Sequence, residues 1–165
     1  MKQKFKSYNL KDVYKNSSKE LFTVVSTFAG GGGSSTGYKN AGGKILLANE
    51  FEPEAVNTYQ ANHPTTPIAA MNIRKITNRK RSRILKFFEN YGIQRGQLDI
   101  FDGSPPCTTF SMASGGKSKH KIDKKNISHE GITNSRIGML ILDYMKCVSI
   151  LQPKVFVVEN VVPVV

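Results

Sequence analysis

Leu98-Asp99-Ile100-Phe101-Asp102-Gly103-Ser104-Pro105-Pro106-Cys107-Thr108-Thr109-Phe110-Ser111 is the stretch around which the chain is organised. Its first five residues read as a short buried strand. Two prolines then deliver a lone cysteine to the carboxyl end of that strand. In open α/β sheets this edge is where ligands and chemistry sit. Proline fixes φ and drives the preceding residue to an extended conformation, so Pro105-Pro106 holds Cys107 on a stiff backbone. A thiolate held at attack distance avoids much of the entropic cost of encounter. The plainer reading is a proline turn beside an incidental buried cysteine. The rest of the chain favours the first.

Upstream, Leu21-Phe22-Thr23-Val24-Val25-Ser26-Thr27-Phe28 is a β-branched and aromatic run, read as a buried parallel strand. It enters Ala29-Gly30-Gly31-Gly32-Gly33-Ser34-Ser35-Thr36-Gly37. A glycine-rich loop between strand and helix lets backbone approach a ligand closely. A phosphate-cradling loop would need Gly-Lys-Ser/Thr, and no lysine follows these glycines. The dinucleotide pattern G-x-G-x-x-G finds no register either, ending on Ser35 or Thr36. A nucleoside cofactor without a pyrophosphate remains.

A second strand, Gly43 to Asn49, ends at Glu50, an acid suited to a bidentate grip on ribose hydroxyls. Pro53 opens a helix that runs to His63, which reads as a capping or surface residue. Ile68 to Met71 is a weak strand, and Asn78 to Tyr91 has helical spacing behind a basic start. The segment from Thr108 to Asn134 is long, unpatterned and lysine-rich, which suits a lid over nucleic acid. Ser135 to Leu151 is the strongest helix, with Ile137, Leu140, Ile141, Tyr144, Met145, Val148 and Leu151 on one face and Cys147 merely packing. Lys154 to Val158 is a strand ending at Glu159-Asn160, which would put Glu159, Glu50 and Cys107 on one sheet edge.

Composition narrows the partners. Lys and Arg number 24 against 12 Asp and Glu, a net charge of +12 that points to a polyanion, nucleic acid first. Cys107 and Cys147 lie too far apart for a zinc or disulfide framework, so no metal is expected. No stretch is apolar enough to span a membrane and no secretory signal opens the chain, so a cytoplasmic protein is expected. Residues 1–20 read as a flexible basic leader and 21–165 as one catalytic unit.

The segments Phe28 to Gly37, Glu50, Pro105-Pro106-Cys107 and Glu159-Asn160-Val161, in this order and each at a predicted strand end, resemble the DNA (cytosine-5)-methyltransferase family over about residues 21–162. The resemblance implies an α/β, Rossmann-like methyltransferase fold with a doubly wound, mostly parallel sheet, incomplete at the C-terminus. It implies S-adenosylmethionine held by Phe28, Ala29, Gly30, Gly31, Gly32, Gly33, Glu50, Asn72, Ile73 and Pro105. Asn72 departs from the family, which places an acid there to meet the adenine amino group; the asparagine carbonyl can still accept that bond. Ser135-Arg136 resembles a further family segment, without the acid found before its arginine. Ser111, Lys117, Lys119 and Arg136 are the expected DNA contacts.

The chemistry suits the residues. Cytosine carbon 5 is a poor nucleophile until a thiolate, here Cys107, adds to carbon 6; Glu159 would stabilise the charge that develops on the ring. The base must leave the duplex to reach such a pocket, so duplex DNA with a flipped cytosine is the expected substrate, in a restriction-modification or phage setting. The family's target-recognition domain and closing helix find no counterpart, so a truncated or split enzyme with a complementing C-terminal polypeptide is expected, inactive alone. Two rivals stand: an inactive remnant that binds nucleic acid by charge, and an enzyme that methylates cytosine in tRNA.

Overall fold

The computed structural model describes residues 7–106 and 140–159. Five strands form one parallel sheet: β1 (Phe22–Thr27), β2 (Gly43–Glu50), β3 (Ile68–Ala70), β4 (Ile100–Gly103) and β5 (Val155–Val158). The order β3-β2-β1-β4-β5 places β1 at the centre. Strand order reverses between β1 and β4, the switch point where open α/β sheets bind ligands. Thr27 pairs with Gly103, so the chain leaves both strands side by side.

The helices are α1 (Leu10–Ser17), α2 (Gly33–Asn40), α3 (Pro53–Asn62), α4 (Arg74–Thr77), α5 (Arg81–Glu89) and α6 (Leu140–Leu151). Successive strand residues alternate faces. Val25, Leu47 and Phe101 join the cluster formed with Ile84 and Phe88 of α5 and Tyr144 of α6. Val24 turns the other way, toward the layer in which α2 packs on β1 and β2 and α1 packs on α2.

Several expectations are corrected. Residues 10–17 of the expected flexible leader form α1, closed by a capping box in which Asn9 and Asp12 exchange bonds, with Val13 buried beneath it. The lysines of this stretch hide an apolar stripe only one residue wide. The segment from Asn78 to Tyr91 is helical only over Arg81–Glu89, and its basic residues Arg79, Lys80, Arg81, Arg83 and Lys86 are exposed. On α6 the buried residues are Leu140, Tyr144, Cys147, Ile150 and Leu151, whereas Met145 is 40% exposed. The helix turns Cys147 inward, where it joins the core cluster as a small apolar group, and leaves Met145 outside.

Two buried polar devices tie the layers. The Tyr144 hydroxyl lies 2.8 Å from both the Phe101 and Val157 carbonyls and so bridges β4 and β5. Gly103 lets this ring approach: a Cβ there would stand 2.7 Å from it and 2.4 Å from Thr27 Oγ1. On the opposite face Lys39 of α2 is buried, its ammonium donating to Thr66 Oγ1 at 2.6 Å and to His63 Nδ1 at 3.2 Å. No ion pair involves it among the described residues. Burial pushes its pKa down to about 8.

Tyr144→Phe should lower unfolding stability by about 1–3 kcal/mol, the cost of removing a buried donor from two carbonyls. A urea midpoint equal to the parent's, with equal slope, would refute the bridge. Stability should also rise with pH between about 8 and 9. Lys39 discharges near 8 in the native chain but near its ordinary value of 10.5 when unfolded, so the unfolded state holds the extra proton across this window. Above its ordinary value of 9.0 the buried Cys147 thiol, pushed up to about 12, opposes the trend. Thermal midpoints at pH 8 and 9 check this, and the rise should vanish in Lys39→Met.

Candidate functional site

The site begins at the carboxyl end of β1. Phe28 and Gly30 adopt left-handed conformations with φ of 53° and 52°, and Gly32 follows at 92° before α2 begins. Phe28 is not a glycine, and such strain persists where the surroundings impose it. The neighbouring strand and helix impose it here. Glu50, the last residue of β2, accepts from Gly30 N at 2.8 Å through Oε2. Its Oε1 accepts from Phe51 N at 2.7 Å and Glu52 N at 3.1 Å. From the end of α3, Asn62 Nδ2 donates to the Gly31 carbonyl at 2.8 Å.

His63 closes the loop from below. An ammonium only donates, so the contact with Lys39 makes Nδ1 the acceptor and leaves the proton on Nε2, which donates to the Gly32 carbonyl at 3.0 Å. Thr36 Oγ1 lies 3.3 Å from that nitrogen and donates to the same carbonyl at 3.0 Å. Burial, then the neighbouring Lys39 charge, lowers the His63 pKa against the Gly32 bond, so the ring is held neutral. His63 does cap α3, as read from the sequence, but at 1% exposure it is not a surface residue. A signal for its burial was present in Asn62-His63 following the apolar positions Val56 and Tyr59.

Beside the loop, Phe28, Asn49, Glu50, Phe51, Asn72, Ile73 and Leu140 line a small cleft. Four of the ten expected cofactor residues, Phe28, Glu50, Asn72 and Ile73, thus share one wall, and Ala29 to Gly33 form the adjoining loop. Pro105 is buried at the end of β4 and is not in this lining. The walls suit a nucleoside: aromatic and aliphatic faces for a flat base, a carboxylate for hydroxyls, and no lysine or arginine to meet a polyphosphate. The bonds Glu50 already makes bear on the bidentate ribose grip expected of it. Three backbone amides occupy its oxygens, leaving about one of four lone-pair positions, on Oε2, to accept a hydroxyl. Asn72 Oδ1 accepts from Arg74 N at 2.9 Å and so also caps α4.

At the switch point, Glu159 N donates to the Gly103 carbonyl at 3.1 Å, which sets Glu159 beside the exit of β4. Glu50 shares the same sheet edge, with β1 and β4 between their strands. Asp102 was passed over within its strand. Its carboxylate is buried, accepting from Tyr38 at 3.1 Å and Ser26 at 3.2 Å; burial, and to a lesser degree Glu159, raises its pKa. An acid inside an apolar strand was the signal. Cys107, Ser111, Lys117, Lys119 and Arg136 lie outside the described residues. Among the described residues no cluster could hold a metal ion, and no helix is long and apolar enough to cross a membrane.

Comparison with known proteins agrees with this geometry. The model for C-5 cytosine-specific DNA methylases matches residues 22–165. The chain is 32% identical over 138 residues to Type II methyltransferase M.AquIA of Picosynechococcus sp., covering 84% of this chain and 48% of that protein. It is 33% identical over 138 residues to Type II methyltransferase M.NgoPII of Neisseria gonorrhoeae, covering 84% of this chain and 33% of that one. Among solved structures, an Escherichia coli prophage-encoded protein described as a DNA modification methyltransferase superposes with a TM-score of 0.59 at 27% identity, covering 87% of this chain and 33% of the other. The chain therefore spans half or less of the length of these relatives. With residues 22–165 matched by the family model and the parallel sheet shared with the prophage-encoded protein, the chain belongs to the C-5 cytosine-specific DNA methylase family and has the Rossmann-like fold of S-adenosylmethionine-dependent methyltransferases.

Proposed function

We propose that this chain carries the cofactor-binding and nucleophile-bearing part of an enzyme that methylates carbon 5 of cytosine in DNA. The observation that carries the reading is the pairing of Thr27 with Gly103. It sends the glycine loop and the Ser104-Pro105-Pro106 segment that leads to Cys107 out of the sheet together. S-adenosylmethionine, when bound, supplies an electrophilic methyl group. Phe28 and Ile73 would flank its adenine, Asn72 would accept from the adenine amino group, and Glu50 would take one ribose hydroxyl.

Cys107 is the nucleophile in this proposal. Its thiolate adds to carbon 6 of a cytosine flipped from the duplex, and electron density moves to carbon 5. Glu159, held beside β4, shares a proton with ring nitrogen 3 and so stabilises that density. Carbon 5 would then take the methyl group from the sulfonium, with S-adenosylhomocysteine as the leaving group, and loss of the carbon 5 proton would expel the Cys107 thiolate and restore the ring double bond. Ser111, Lys117, Lys119 and Arg136 would contact DNA, in keeping with the net charge of +12. The relatives are two to three times as long as the matched span, so turnover would require further segments, from the same polypeptide or a complementing C-terminal one. A restriction-modification or phage setting in the cytoplasm fits the relatives' names. The rival, a remnant that binds nucleic acid by charge alone, predicts no affinity for S-adenosylmethionine.

Calorimetry with S-adenosylmethionine should show binding by the parent chain, weakened about ten-fold to a hundred-fold by Glu50→Ala, since the change removes a charged acceptor and frees Gly30. Parent-like affinity in that variant would move the ribose contact elsewhere. In an enzyme completed with the remaining segments, Cys107→Ser should abolish turnover and trapping by 5-fluorocytosine DNA. Cys147→Ser should do neither, because that thiol is fully buried and pushed up to about 12. Trapping that persists without Cys107 would overturn the assignment.

A further inference from the structure

We propose that Asn62 and His63, at the end of α3, form a positioning clamp that fixes the glycine loop in the shape that receives the adenosyl cofactor; this rests on the cofactor reading above. Neither residue lines the cleft, so the clamp acts through backbone alone. Two consecutive carbonyls are held, Gly31 by Asn62 Nδ2 at 2.8 Å and Gly32 by His63 Nε2 at 3.0 Å. The Gly32 carbonyl also accepts from Thr36 N at 2.9 Å and Thr36 Oγ1 at 3.0 Å, so His63 ties the first turn of α2 to α3 at this carbonyl. A trans peptide puts N–H opposite C=O, so the clamp helps to fix the direction of the Gly33 N–H, the first amide of α2.

The clamp is itself braced. His63 N donates to the Tyr59 carbonyl at 2.8 Å, the last bond of α3. Tyr59 OH donates to Ser35 Oγ of α2 at 2.9 Å, and the Tyr59 and His63 rings meet at a tilt of 52° with centroids 4.8 Å apart. Lys39 orients the imidazole from Nδ1. Close packing makes the fit demanding: a Cβ on Gly32 would lie 2.4 Å from the imidazole, and one on Gly31 would lie 3.1 Å from Thr58 Cγ2. Glu50 secures Gly30 from the opposite side, by its amide. Apart from bonds within the loop and α2, the loop is thus pinned by one side-chain acceptor and two side-chain donors, and only the acceptor, Glu50, lines the cleft.

The test compares Asn62→Asp, His63→Phe and His63→Gln in this chain. Asp replaces the donor with an acceptor at an exposed position, so folding is preserved. Phe keeps a ring without a donor, and Gln restores a donor near Nε2. Amide exchange of the peptide spanning residues 28–38, measured without cofactor, should quicken about ten-fold in Asn62→Asp and His63→Phe, with exchange in β1 and β2 unchanged. Affinity for S-adenosylmethionine should fall about ten-fold in the same two variants, the loss of one hydrogen bond. His63→Gln should stay near the parent in both. Parent-like exchange and affinity in Asn62→Asp and His63→Phe would overturn the clamp, as would His63→Gln behaving like His63→Phe. Should His63→Phe fail to fold, Asn62→Asp decides alone. A parent chain that binds no S-adenosylmethionine would sink the cofactor reading, while the exchange data would still decide whether the clamp shapes the loop.

Discussion

The hydrogen bond from Gly30 N to the Glu50 carboxylate is the constraint on which the site depends. It joins the loop after β1 to the last residue of β2, twenty positions away. Backbone that must face a ligand cannot satisfy itself through a helix or sheet ladder. Here side chains from neighbouring elements do so. The loop gains definition without a bulky side chain of its own, and ligand approach stays open. The left-handed φ of Phe28 turns the chain at the end of β1, just before Ala29 N donates to the Asn49 carbonyl and Gly30 N to Glu50.

Register carries that local order across the sheet. Parallel pairing of β1 with β4 aligns Thr27 with Gly103 and Ser26 with Asp102. One pair brings the two functional exits together. The other buries a carboxylate behind them, with the hydroxyls of Ser26 and Tyr38 as partners. At the opposite edge of the sheet Asp99 accepts from Thr23 N at 2.7 Å and from Lys154 at 2.7 Å, linking β1, β4 and the start of β5. The Lys154 contact and the Thr23 bonds hold its carboxyl down at about 2. Two aspartates three residues apart thus do different work: Asp99 fixes register, while Asp102 sits desolvated near the carboxyl end of β4.

Cation placement separates structure from recognition. Most Lys and Arg among the described residues are exposed, where long-range attraction to a polyanion is worth having. Lys39 is the exception among them, buried against Thr66 and His63. Its charge costs stability, offset by the orientation it gives the imidazole under the loop. The two cysteines divide likewise. Cys147 is sealed in the core as a small apolar group, and the thiol expected to react follows two prolines at a strand end.

Sequence alone determined what short-range pattern can carry. The β-branched runs at Val24-Val25 and Val155 to Val158, the glycines after Phe28 and the acids at Glu50 and Glu159 marked strands, loop and edge, because strand ends in a parallel sheet face one way. The periodicity of α6 was legible too, although its buried face included Cys147 and left Met145 out, since four-residue spacing leaves the stripe free to rotate by one position. The helix at Leu10–Ser17 was missed because one buried valine gives no period, although Asn9 and Asp12 held its cap. Only the tertiary structure decided that Glu50 spends most of its lone pairs on backbone, that His63 lies inside against Gly32, and that Asp102 meets Tyr38. Those contacts join residues 20, 31 and 64 positions apart. Their partners are chosen by how the helices settle on the sheet, and no local spacing encodes that.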